Sequence, residues 1–170
     1  MDEKPTSDME KPEASQSTAD KSLAVERARI VHSYLTKGDV SGLTPVQLTH
    51  LVVRMCEDMG LNPDTQPFQV LQQGSKHILY ATRNATDQLA RIHNVTRIIV
   101  DGPKLGKVGS VSAWYCKCRA TLPNGRSEES TAWVVDADIN SPMKCETKAK
   151  RRATLAILGL GISSEDELKP

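Results

Sequence analysis

Apolar residues recur at helical spacing at Leu48, Leu51, Val52, Met55 and Met59, which places one stripe on one face of a helix. Thr44 suits the N-cap, Pro45 the first turn, and Gly60 the position after the last turn, so the helix is bounded on both sides. A shorter helix is expected from Leu23 to Tyr34, on Leu23, Ile30, Val31 and Tyr34, with Lys37-Gly38-Asp39 breaking it. Asn62 to Phe68 reads as a turn. Phe68–Gln72 and Lys76–Ala81 alternate as strands around Gln73-Gly74-Ser75, which predicts a hairpin. Ala85–Val95 returns to helical spacing, with Leu89 and Ile92 facing inward. Three strands follow at Thr96–Val100, Val108–Leu122 and Ser127–Val135, the last two flanking the hairpin signal Pro123-Asn124-Gly125. Ser141 then caps a final helix that Pro142 starts and Gly159 and Gly161 stop.

The order is helix, helix, hairpin, helix, three antiparallel strands, helix. That predicts an α+β fold with an antiparallel β-β-β-α core, preceding helices, a small hairpin, and helices packed on one sheet face. No internal repeat interrupts it.

Composition changes this picture at the ends. Residues 1–22 hold six acids, three lysines and no aromatic, a composition that cannot offset ordering entropy, so they are expected to be a disordered acidic tail. Residues 164–170 form a second acidic tail with a net charge of −2. The intervening domain, 23–163, carries 18 cations against 12 acids. A basic body between acidic tails favours a polyanionic partner. The polar N-terminus, the four cysteines and the lack of a long apolar run point to a reduced, cytoplasmic protein without a membrane span.

The final helix concentrates the charge. Five cations lie within the nine residues 144–152, with Glu146 the one acid among them. Lys144, Lys148 and Arg151 fall within about 60° on a helical wheel, and Arg152 flanks them. Ala149, Ala153, Ala156 and Ile157 cluster opposite, where small side chains permit close packing on a sheet. The alternative is an ordinary solvated face. The strand Val111–Thr121 splits by alternation into Trp114, Cys116, Cys118 and Ala120 on one side and Tyr115, Lys117 and Arg119 on the other. The second set places an aromatic and two cations in line, which suits single-stranded nucleic acid: cations follow phosphates and the ring stacks on a base. A half-exposed sheet face has the same pattern. Lys104 and Lys107 in the glycine-rich stretch 101–110 add charge to an expected flexible connection. That stretch lacks phosphate-loop spacing, with Val108 standing where Ser or Thr would bind magnesium.

Catalytic and metal readings find little support. Cys116 and Cys118 lack a second closely spaced pair, and His32, His50, His77 and His93 show no ligand spacing. Asp136 and Asp138 sit where a turn favours Asp. No enzyme activity and no cofactor are expected.

The stretches GLNPDTQPFQVL, LYATRNATDQLARIHNV, RATLPNGRSEEST and MKCETKAKRRATLAILGLG together resemble phage and bacterial single-strand annealing proteins, of the RecT, Red-beta, Erf and Rad-fifty-two-like superfamily. The resemblance spans roughly residues 43–162. It implies ATP-independent binding of single-stranded DNA and annealing of complementary strands in recombination, by a homo-oligomeric ring or filament with a positive groove. It also implies a phage exonuclease or a host single-strand-binding protein as further partners, and bacterial host cytoplasm for a phage-encoded chain. Arg151-Arg152-Ala153 matches the Lys-Arg-Ala motif of the superfamily's eukaryotic mediator, while Leu155 stands where a further cation follows it. Lys117 and Arg119 fit the same groove by position. Two alternatives remain open: a double-stranded RNA-binding module of α-β-β-β-α order, and a non-catalytic oligomeric scaffold.

Overall fold

The computed structural model describes residues 21, 22, 25, 28, 32, 34–36 and 38–162. The chain divides into two units, Met1–Gly38 and Asp39–Pro170. In the first unit the described residues from 21 to 36 are helical, including Lys21 and Ser22 from the expected tail. The rest of that tail, the C-terminal tail, and Leu23, Ile30 and Val31 lie outside the described residues.

The second unit carries the expected α+β architecture. Helix α1 spans Pro45–Met59, and its Thr44 cap is reciprocal: the threonine hydroxyl accepts from the Gln47 N–H while the Gln47 side chain accepts from the Thr44 N–H. Gly60 closes it in the left-handed conformation. A 3-10 turn at Pro63–Thr65 leads to the hairpin of β1 (Phe68–Gln73) and β2 (Lys76–Ala81). Helix α2 (Arg83–Ile92) follows. Then come β3 (Thr96–Val108), β4 (Val111–Thr121) and β5 (Ser127–Val135), an antiparallel sheet in the order β3-β4-β5, and α3 (Ser141–Ile157).

Helix α3 lies across one face of this sheet, touching all three strands, and α2 packs beside it. The seam is built from small residues. Cys116, Cys118, Ala120 and Ala132 on the sheet meet Cys145, Ala149, Ala153 and Ile157 on the helix, all buried. Alanines and cysteines let backbones approach closely, and larger side chains there would overpack the seam. The Cys145 sulfur lies 3.1 Å from the Trp114 carbonyl and 3.4 Å from that of Ala132, which ties the helix to β4 and β5. The opposite sheet face carries Tyr115, Lys117 and Arg119 together with Trp133, which the strand register sets directly across from Tyr115.

The structure corrects several expectations. The stretch 101–110 is strand, not a flexible loop: β3 runs on to Val108 through register shifts around Asp101, and Gly109 and Ser110 alone make the turn. β4 correspondingly starts at Val111 instead of Val108. Gly102 accommodates the irregularity, since a Cβ there would sit 2.4 Å from the Tyr115 carbonyl oxygen. Ile92 is 44% exposed, and the inward face of α2 is instead Ala85, Thr86, Leu89 and Ala90. Ala156 is exposed, so the apolar side of α3 is Ala149, Ala153 and Ile157 without it. Ser141 is the first helical residue and Asn140 the N-cap; the Ser141 hydroxyl accepts from the N–H groups of Ala137 and Asp138. The C-terminus follows the expected glycine stop, with the Leu160 N–H donating to Leu155 and that of Gly159 to Ala156.

Burial pushes the Cys145 thiol up to about 11, with neighbouring Cys116 adding to the effect. A raised thiol pKa stabilises the fold below the unfolded pKa, and that contribution is lost as pH rises toward the folded value. Urea midpoints measured from pH 8 to 11 are therefore expected to fall more steeply for the wild type than for Cys145→Ala, by on the order of 2 kcal/mol at the alkaline end. Parallel pH profiles would contradict the assignment of a buried, protonated thiol.

Candidate nucleic-acid interface

Four of the five cations of α3 occupy three different environments, and the fifth, Lys150, pairs with Glu146 at 2.5 Å. Lys148 and Arg152 reach the free edge of the sheet: the Lys148 ammonium donates to the Trp133 carbonyl at 2.6 Å and the Arg152 guanidinium to that of Thr131 at 3.2 Å. The spacing is geometric. Four residues along a helix advance about 6 Å, and two residues along a strand advance about 6.6 Å. A pair at i and i+4 on α3 therefore matches carbonyls at i and i+2 on β5. Positive side chains laid along an open edge also discourage another strand from pairing there.

Lys144 is the most exposed of the set and pairs with Asp138 at 2.6 Å. That ammonium is the leading cause holding the Asp138 carboxyl below the usual carboxylate range.

Arg151 stands apart. Its residue is only 8% exposed, its guanidinium donates to the Ala81 carbonyl at 2.8 Å, and its carbon lies 4.4 Å from the centre of the Tyr80 ring. The helical wheel places it with Lys144 and Lys148, but the end of β2 covers it. It anchors α3 to the β1–β2 hairpin instead of standing on an open face.

Lys144, Lys148 and Arg151, but not Arg152, border a cleft of about 830 Å³ whose walls also include Arg83, Met143 and Trp133. Four cations and no carboxylate line it. Arg83, the first residue of α2, is 71% exposed at its side chain and also pairs with Asp87.

The strand residues lie on the other face of the sheet, so α3 and the β4 cations do not form one groove within this unit. Lys117 and Arg119 converge on Glu129 of β5, the Arg119 pair at 2.6 Å. Lys117 first, then Arg119, hold that carboxyl below its usual range. Lys104 pairs with Asp101 at 2.5 Å, and Lys107 is exposed near the end of β3. Tyr115 and Trp133 form a tilted pair, centroids 4.9 Å apart at 57°. A Cβ at Gly106 would meet the Trp133 ring at 3.4 Å, so the indole extends across β4 toward β3. The two surfaces meet at β5, where the backbone of Thr131 and Trp133 receives the α3 cations while their side chains share the outer face.

Sequence reasoning missed Arg83 and Trp133. Trp133 was accessible from the hairpin: a turn at residues 123–125 pairs Thr121 with Ser127 and so Tyr115 with Trp133. Arg83 has no local signal, because only the packing of α2 against α3 brings it to the cleft. The described residues contain no cluster of three or more His, Cys, Asp or Glu arranged to hold a metal. No described helix is long and apolar enough to cross a membrane. No protein-family model matches the chain, and no curated protein does.

If Arg151 is an anchor, Arg151→Ala should destabilise the fold by about 2–3 kcal/mol in urea unfolding, from the lost hydrogen bond and ring contact. Lys144→Ala, which removes an exposed pair, should change stability by less than about 1 kcal/mol. Equal effects would mean that Arg151 carries no anchoring role.

Proposed function

We propose that the chain binds single-stranded DNA along the cleft beside α3 and pairs complementary strands without nucleotide hydrolysis. The observation that carries this reading is the cleft wall itself: Arg83, Lys144, Lys148 and Arg151 border one concavity with no carboxylate among its lining residues. Such a surface attracts a phosphate backbone and releases its counterions. The Tyr115–Trp133 pair across the β5 edge supplies ring faces on which unpaired bases can stack.

The mechanism is electrostatic. Two strands repel one another through their phosphates, and ammonium and guanidinium groups along one backbone lower that barrier. Binding through the backbone leaves base edges open to a partner strand. Duplex formation then supplies the driving force, so the reaction needs no phosphate loop. The resemblance to single-strand annealing proteins supports the same reading, including assembly as a ring or filament. A positioning role for Arg151 replaces the direct DNA contact expected for it. Lys117 and Arg119, each already sharing Glu129, contribute to the aromatic face and not to the cleft.

One observation favours a second reading. From α2 to α3 the order is α-β-β-β-α on an antiparallel sheet, the plan of a double-stranded RNA-binding module, which reads duplex shape through phosphates and 2′-hydroxyls.

Fluorescence anisotropy with labelled single-stranded DNA and duplex RNA over a salt series separates the two. The expected result is tighter binding of the single strand, with a steep salt dependence. Lys144→Ala/Lys148→Ala should bind about tenfold or more weakly, with a log–log salt slope shallower by about 0.7 per lysine. Unchanged binding by that pair would remove the cleft. Tighter binding of duplex RNA would favour the second reading, and no binding to either would favour a scaffold.

A further inference from the structure

Next to the cleft lies a smaller hollow of about 230 Å³, which shares Arg83, Arg151, Met143 and Thr147 with it and adds Arg97, Lys150 and Glu146. Its volume falls below the roughly 300 Å³ at which small-molecule pockets begin, so it suits a small anion better than a nucleoside. Four cations surround it: Arg83, Arg97, Lys150 and Arg151. Two carboxylates compensate them in part. Asp87 pairs with both Arg83, at 3.2 Å, and Arg97, at 2.8 Å, and Glu146 pairs with Lys150 at 2.5 Å. The cluster therefore retains two positive charges. Its floor is unusual. Arg151 is more than nine-tenths buried, and its Nε has no hydrogen-bond partner among the described residues. An uncompensated guanidinium at this depth raises the positive potential of the hollow.

The charge discriminates between ligands. An internal phosphodiester carries one negative charge, whereas a phosphomonoester carries about −1.5 to −2 near pH 7. We propose that the hollow is a phosphomonoester site, which takes the terminal phosphate of a strand lying in the adjoining cleft. The proposal rests on the cleft reading and deepens it, since it gives the bound strand a preferred end. Lys150 and Arg97 line the hollow and do not line the cleft. They separate end recognition from backbone binding.

The experiment compares short oligothymidylates carrying a 5′-phosphate, a 3′-phosphate or neither, by competition against a labelled strand, with wild type, Lys150→Gln and Arg97→Gln. One of the two phosphorylated strands is expected to bind about tenfold tighter than the unphosphorylated one, the size of one charge-assisted hydrogen bond. That advantage should disappear in both variants, while the unphosphorylated strand binds them as it binds the wild type. Equal affinity of all three strands for the wild type would overturn the terminal site and leave the cleft standing. Failure of every strand to bind would remove the cleft and the terminal site together. A preference that survives intact in both variants would place end recognition elsewhere and overturn the assignment.

Discussion

The close seat of α3 on the sheet determines where the cations of that helix lie. Ala149 and Ala153 present almost no side chain to Cys116, Cys118, Ala120 and Ala132, and all of them are fully buried. A helix held that near a three-stranded sheet has little freedom to roll. Its flank then runs along β5, and side chains four apart on the helix meet carbonyls two apart on the strand. Lys148 and Arg152 are held at the edge by this match of repeats, and Lys148 also lines the cleft. Larger residues in the seam would lift the helix and break the match before any ligand was involved.

Arg151 fixes the same helix at its other side. Its bond to Ala81 and its contact with Tyr80 join α3 to the β1–β2 hairpin, about seventy residues earlier in the chain. α2 begins directly after that hairpin, so the same anchor helps to set Arg83 against the cleft. One buried guanidinium thus organises a wall of exposed cations. A buried charge costs desolvation and is retained where its hydrogen bond and ring partners are well placed. That accounts for an arginine at this point, where a lysine offers neither a planar fork nor the same stacking face.

Much of the fold was legible because its signals are local. The Thr44 cap, the Pro123-Asn124-Gly125 turn, the strand Ser127–Val135 and the glycine stop after α3 each depend on a few neighbouring residues. Alternation along β4 also separated its two faces correctly. The stretch 101–110 was misread because three glycines and a proline usually mark a loop. Pairing with β4 overrides that composition, and the register shifts around Asp101 absorb the irregular residues. The candidate site was legible only in part. A helical wheel identifies which side of α3 is basic, but it cannot reveal that Ala81 and Tyr80 cover Arg151. Nor does any local pattern show that Arg83 faces the cleft. Those facts depend on contacts between elements distant in sequence.

The central claim is that a single strand lies along α3 at the β5 edge. Photocross-linking with a 5-iodouracil-substituted oligonucleotide, followed by peptide mapping, locates the strand directly. Cross-links are predicted within residues 133–148, at Trp133 and Met143 above all, and their yield should fall in Lys144→Ala/Lys148→Ala. Cross-links confined to α1 or to the β1–β2 hairpin, with none on β5 or α3, would contradict the account.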